Sequence, residues 1–324
     1  MFLSATRVAR CVGLALVVGL SGNVLAQGFP SKFVTLVVPY AAGGGAELVG
    51  RVVAQKLSEE WKQQVIIENK PGAGTTVGAA YVAKAAPDGY TLYLASSSLT
   101  SAASLYKDLP YDTLKSLAPI GLVSSSFFVL GVRPSLKVNS VKELVALAKA
   151  KPGVLNYGSP GNGTGPHFSG ELFRTSAEID AVHVPFKGAA PMLTALLGDQ
   201  VDYCFADFAV LPYLRSEKVK ALAVTSAKRS PMLPNVPTMA EAGIAGYETT
   251  FWMALLAPAG TPPNIVAQIN ASLVKILKFP DVRKRLADVG HEARSSTPEE
   301  LHALMASEIQ KYAALIAASH IKVD

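Results

Sequence analysis

Twice along this chain an apolar run stops at a cluster of glycines and resumes with helical spacing. That order of strand, glycine turn and helix restricts the fold more than any other feature of the sequence. The first instance is FVTLVVP at residues 33–39, then Gly43, Gly44 and Gly45, then Leu48, Val49, Val52, Val53 and Leu57 on one helical face. The second is an expected strand at 155–158, a turn containing Gly161, Gly163 and Gly165, and an expected helix over 167–174.

Around the first turn the pattern predicts strands at 65–67 and 91–95 and a helix over 77–86, with Pro87, Asp88 and Gly89 as a turn. Around the second it predicts strands at 127–132, 181–184, 201–205 and 220–225, and a helix capped by Ser140 that runs to Ala150. Such alternation is the signature of α/β architecture with parallel, doubly wound sheets. The last third adds a strand at 251–258 and helices over 262–277, 280–289 and 298–318, the last opened by Thr297 with Glu300 three residues on. No low-complexity stretch separates the two α/β units. A two-domain protein with several chain crossings is expected: 27–126 with 243–324 in one lobe and 127–242 in the other.

The N-terminus bears on the compartment. Arg7 and Arg10 precede a short apolar run from Cys11 to Leu20, and Val24, Leu25 and Ala26 supply small residues at the spacing of a cleavage site. This reads as a signal peptide over 1–26, cleaved near Ala26, and predicts a periplasmic protein. The run is too short for a bilayer core of about 30 Å. Without its two arginines, 28 basic residues stand against 24 acidic ones, a net charge of +4. The basic residues are dispersed, with Lys228, Arg229, Lys284 and Arg285 as the densest pairs, which argues against a nucleic-acid partner and mildly favours an anionic ligand. Cys204 is then the one remaining cysteine, so no internal disulfide is expected, and its apolar surroundings assign it to the core.

Both glycine turns stand where free N–H groups and the helix dipole favour an anion, and glycine lets a ligand approach the backbone. Ser159, Asn162 and Thr164 add side-chain donors to the second turn. Neither turn is a nucleotide motif: no Gly-Lys-Ser/Thr ending is present, and Leu48 stands where a dinucleotide fingerprint needs glycine. No cofactor is expected. The five histidines show no metal-ligand spacing with carboxylates or Cys204, and no nucleophile-elbow motif occurs, so neither a metal nor catalysis is expected. Ser96, Ser97 and Ser98 follow the third strand, where hydroxyl donors at a sheet's carboxyl edge are useful. His167 fits either a donor to a carboxylate or a packing histidine. Phe251 and Trp252 fit the core better than a cleft.

Over nearly its whole length beyond residue 26 the chain resembles the substrate-binding proteins of tripartite tricarboxylate transporters, the Bug family. The matching segments include VVPYAAGGGAELVGRVVAQKL, VIIENKPGAGTTVGAAYVAKAAPDGYTLYLAS, LNYGSPGNGTGPHFSGELF and HVPFKGAAPMLTALLGDQVDYCFAD. The resemblance implies a two-lobed, hinged periplasmic-binding-protein (Venus-flytrap) fold that closes on a small carboxylate ligand without cofactor or catalysis. It implies a first seat at Tyr40, Ala41, Gly43, Gly44, Gly45 and Glu47. It implies a second at Ser159, Gly161, Asn162, Gly163, Thr164 and His167, with Ser96, Ser97, Lys187, Gly188, Asp207 and Thr250 on neighbouring loops. Relatives carry proline and aspartate where Ala41 and Glu47 stand, which bears on selectivity. Asp207 would repel a diacid and pair with an amine if it faced the cleft, and would otherwise act as a cap or hinge residue. The implied partners are inner-membrane transporter subunits or a sensor receptor, and the protein is expected to be a monomer.

Overall fold

The computed structural model describes residues 28–40, 42, 45–106 and 108–319. The expected signal segment lies outside the described residues, as do Ala41, Gly43 and Gly44 of the first turn. The first half begins β1 (Val34–Val38), α1 (Gly45–Trp61), β2 (Val65–Asn69), α2 (Thr76–Ala83), β3 (Thr91–Ser96), α3 (Ser98–Leu105) and β4 (Leu117–Phe127). β5 (Val129–Val132), α4 (Val141–Ala150), β6 (Asn156–Ser159), α5 (Gly165–Ala177), β7 (Val182–Pro185), α6 (Ala189–Leu197), β8 (Tyr203–Ala206), α7 (Leu211–Arg215) and β9 (Lys220–Val224) follow. The chain closes with β10 (Thr250–Pro258), α8 (Pro263–Ile276), α9 (Pro280–Asp288), β11 (Glu292–Ala293) and α10 (Pro298–Ser319).

These strands form two sheets, one in each lobe: β11-β4-β10-β3-β1-β2 and β7-β6-β8-β5-β9. β1 reads as a nearly unbroken apolar run because helices cover both its faces, and all its residues except Thr35 are buried. It pairs in parallel with β2 and β3, as β6 does with β7 and β8. The sheets are nevertheless mixed rather than purely parallel. β10 runs antiparallel to β3 and β4, and β5 runs antiparallel to β8 and β9. The strand expected at 127–132 divides at Phe128, with Phe127 ending β4 in one sheet and Val129 starting β5 in the other. Most of β4 escapes a hydrophobic pattern because polar residues fill part of its buried face. Ser124 is fully buried and hydrogen-bonded to His291 Nδ1 at 3.0 Å.

The chain leaves the first sheet through Phe128 and returns through Thr249, and Thr225 holds both crossings together. Its backbone N–H donates to Phe128 O at 2.9 Å, while its hydroxyl accepts from Phe128 N at 2.9 Å and donates to Thr249 O at 2.6 Å. Ile244 and Tyr247, just before the return, are buried in the second lobe's core with Tyr157, Phe173, Tyr203 and Phe205. α10 also spans the two units: its Tyr312 and Leu315 are buried with Phe168 of α5, against Leu105 of α3. Each such side chain removed from water contributes about 1.5–3 kcal/mol. Among the described residues no helix is long and apolar enough to cross a membrane.

Candidate functional site

Parallel strands deliver their following loops to one edge of a sheet, where ligands of open α/β folds bind. In the first lobe β1, β2 and β3 lead into Tyr40, the turn at 71–75 and the serines at 96–98. In the second lobe β6 leads into residues 160–164. These loops and α3 enclose a cavity of about 330 Å³ between the lobes, at the small end of the roughly 300–1,000 Å³ usual for small-molecule sites.

The first lobe contributes Tyr40, the turn from Pro71 to Thr75, and Ser98, Ser101, Ala102, Leu105 and Tyr106 of α3 and its end. The second contributes Asn162, Gly163 and Thr164. The described lining therefore offers hydroxyl, amide and backbone donors with an apolar wall, and carries no charged side chain. Tyr40 is fixed from two sides. Its hydroxyl lies 2.6 Å from Ser96 Oγ, and its carbonyl accepts from Asn69 Nδ2 at 2.8 Å. Burial raises its pKa, so the phenol stays neutral and able to donate.

The turn at 71–75 is the part that sequence reasoning did not assign to a site. Gly72, Ala73, Gly74 and Thr75 all have positive φ, of 131°, 42°, 60° and 82°. Ala73 and Thr75 are not glycine, and holding each in that region costs about 1–3 kcal/mol, a strain found at ligand clamps. Thr75 precedes the first residue of α2, is 4 % exposed, and its hydroxyl makes no hydrogen bond among the described residues. The signal was present as Pro71, Gly72, Ala73, Gly74 between a strand and a helix, a third copy of the same local pattern. α3 had no comparable signal, because its small and polar residues give no clear apolar period.

The other expected site residues fall into three groups. Tyr40, Asn162, Gly163 and Thr164 reach the cavity; Ala41, Gly43 and Gly44 lie outside the described residues; and Gly45 starts α1. Glu47 is buried in the first turn of α1, its carboxylate 2.5 Å from Arg51 Nε. Behind the cavity, Ser159 Oγ is 2.7 Å from His183 Nε2 and accepts from Gly161 N at 3.2 Å. His167 Nδ1 accepts from Gly163 N at 3.0 Å, which leaves Nε2 as its protonated nitrogen. The His167 and His183 rings stack with centroids 4.0 Å apart, and Tyr157 stacks on His183 at 4.8 Å. Burial lowers both imidazole pKa values to about 4, and the neighbouring His167 further disfavours the charged form of His183, so both are neutral near pH 7. His167 thus shapes the loop and carries no charge for a carboxylate.

Farther out, Ser97 N donates to Trp252 O, and Thr250 opens β10 opposite Phe127. Gly188 N donates to Pro160 O at 3.1 Å and ties the loop after β7 to the loop after β6, while Lys187 beside it is exposed. Asp207 is exposed, and its Oδ1 accepts from Ala209 N at 3.0 Å, so it is a cap. Cys204 and Trp252 are buried in the core, and burial pushes the Cys204 thiol up to about 12.

Ser159 with His183 has the outline of a nucleophile and a base. Ser159 is fully buried, His183 is held between two stacked rings, and among the described residues no carboxylate hydrogen-bonds to either imidazole. The pair is a structural brace. Among the described residues no three His, Cys, Asp or Glu are grouped to hold a metal ion.

Residues 49–321 match the model of the tripartite tricarboxylate transporter family receptor. The chain is 35 % identical to protein BugT of Bordetella pertussis over 320 residues, 97 % of this chain and 98 % of that one. Two solved structures from Rhodopseudomonas palustris are similar at 34 % identity. Rpa4515 with adipate has a TM-score of 0.78 and covers 91 % of this chain and 99 % of its own. MatC with bound malate has a TM-score of 0.74 and covers 89 % and 100 %. A match across most of the chain, a relative aligned from end to end and the same two-lobed fold agree: the chain belongs to the tripartite tricarboxylate transporter receptors, the Bug family of solute-binding proteins.

Proposed function

We propose that this protein is exported to the periplasm, captures a small carboxylate-bearing solute between its lobes, and delivers it to the inner-membrane subunits of a tripartite tricarboxylate-type transporter. The observation that carries this reading is the cavity itself. It is built from loops at strand carboxyl ends in both lobes, rich in hydroxyl and backbone donors. Similar structures hold adipate and malate. A ligand touching both lobes has higher affinity for the closed form than for the open one, so binding shifts the hinge equilibrium toward closure. A Kd near 1 µM corresponds to about 8 kcal/mol, within reach of several charge-assisted hydrogen bonds in a cleft shielded from water.

The lobes are 27–126 extended to Phe127, with the C-terminal region, and the following chain to 242 extended to Thr249, because Phe127 pairs with Thr250 in the first sheet and Ile244 and Tyr247 pack in the second core. The anion is held by the turns around Tyr40 and at 71–75, and the second lobe covers it with residues 161–164. Calorimetry and thermal shift of the protein lacking residues 1–26, against mono-, di- and tricarboxylates, amino acids and aromatic acids, test this. Stabilisation by one carboxylate class is expected; no response to any of them at millimolar concentration would refute it.

A further inference from the structure

Glu308 lies on α10 behind the cavity wall, and the contacts around it contain one hydrogen too few. Its Oε2 accepts from Trp252 Nε1 at 2.8 Å and lies 2.8 Å from Thr100 Oγ1. That same hydroxyl is 2.7 Å from Ser97 O. Ser97 N in turn donates to Trp252 O at 3.1 Å, which closes a ring of four residues. Ser97 sits between Ser96, which holds the Tyr40 hydroxyl, and Ser98, which lines the cavity.

A threonine hydroxyl has a single hydrogen, and a carboxylate oxygen and a carbonyl are both acceptors only. With Glu308 ionised, its carboxylate and Ser97 O compete for the Thr100 hydrogen. With Glu308 protonated, its own O–H donates to Thr100 Oγ1, and Thr100 donates to Ser97 O, so every group is satisfied. We propose that Glu308 is a positioning residue whose proton directs the Thr100 hydroxyl and thereby the serine turn on the cavity wall, linking ligand affinity to the binding of one proton.

The surroundings set where that proton is exchanged. Burial pushes the Glu308 carboxyl up to about 7, against the opposing pull of the Thr100 and Trp252 hydrogen bonds. On its own helix it faces Lys311, whose Nζ donates to Glu248 O, and Tyr312, kept neutral by burial. The segment before β10 adds the Glu248 carboxylate, which favours the protonated form, while Lys311 favours the ionised one. α3 and β10 present only the uncharged Thr100 and Trp252. The turn is therefore fully bonded below about pH 7 and loses a hydrogen bond above it.

The chain has two tryptophans, so a Trp61→Phe background leaves Trp252 as a reporter bonded to the titrating group. Its fluorescence is expected to show one transition near pH 7. Glu308→Gln abolishes the transition, and Thr100→Val shifts its midpoint, because that hydroxyl accepts from the protonated carboxyl and is the donor contested by the ionised one. A transition that survives Glu308→Gln, or an unmoved midpoint in Thr100→Val, overturns the proposal. The effect on ligand rests on the carboxylate reading above and uses adipate and malate as calorimetric probes. Affinity is expected to fall roughly twofold to sixfold from about pH 6.5 to about 8.5, the part of a shift of about half to one pKa unit between free and bound protein that this window covers. It stays flat in Glu308→Gln; an equal slope in that variant counts against Glu308. Should no acid of the carboxylate panel bind while the fluorescence transition still follows Glu308, the ligand class is wrong and the positioning role stands.

Discussion

The turn at 71–75 and the turn at 159–164 share one local pattern yet differ in what they leave available. The second-lobe turn is braced from within: Ser159 to His183, Gly163 N to His167, Thr164 Oγ1 to Gly161 O at 2.7 Å, and Gly188 N to Pro160 O. The first-lobe turn has two non-glycine residues at positive φ and a buried Thr75 hydroxyl without a partner among the described residues. The first holds strain and an unused hydroxyl at the cavity, whereas the second is a preformed surface. A glycine pattern alone does not distinguish them, since the difference lies in which side chains stand behind each turn.

The largest expected effect breaks the brace. A Cβ at Gly170 would lie 2.1 Å from Tyr157 Cε2, and the Tyr157 ring cannot retreat because it stacks on His183 and its hydroxyl donates to Glu171 at 2.5 Å. Gly170→Ala should destabilise the protein by about 3 kcal/mol or more, read as a lower urea midpoint. His183→Ala removes one partner of the fully buried Ser159 hydroxyl, which keeps its contacts with Gly161, together with the ring stacked between His167 and Tyr157, and should cost about 2 kcal/mol.

The same brace imposes a pH dependence. Imidazoles with pKa lowered to about 4 bind fewer protons in the folded state than the unfolded state does at its ordinary value of 6.5. Their stabilising contribution is complete above pH 6.5 and is lost as pH falls through about 4. Urea midpoints measured between those limits should fall with acidity, and less steeply in His183→Ala. An unchanged slope in that variant would remove His183 from the brace.

The first-lobe turn predicts the opposite separation of stability from binding. Thr75→Gly relieves a left-handed conformation and removes an unbonded hydroxyl, so stability should change by less than about 1 kcal/mol, relief being offset by glycine's chain entropy. Carboxylate affinity should fall about tenfold, the loss of one hydrogen bond of about 1.4 kcal/mol. If affinity is unchanged, Thr75 is not a donor to ligand. The smallest effect belongs to Asp207: Asp207→Ala should lower stability by about 1 kcal/mol through the lost cap and leave affinity unaltered.

Much of the fold was legible because burial imposes its period on neighbouring residues. β1, α1, α4 and β10 stand close to where the apolar pattern puts them, and each glycine turn follows a strand. β4 and α3 were not legible, since Ser124, Ser126, Thr100 and Ser101 are buried polar residues whose partners come from distant segments. The site divides in the same way. Tyr40 and residues 162–164 are legible in the sequence, whereas the turn at 71–75 shows its glycines but not the positive φ of Ala73 and Thr75 that sets it apart.

By itself the sequence determined two α/β units, the family, and the places where backbone donors gather, because strand, turn and helix are decided by residues within a few positions of one another. Only the tertiary structure decided which donors face the cavity, which are used inside, and that His167 meets His183 and Glu308 meets Thr100 and Trp252. Those contacts join residues 16 to 208 positions apart, and packing rather than local spacing sets their geometry.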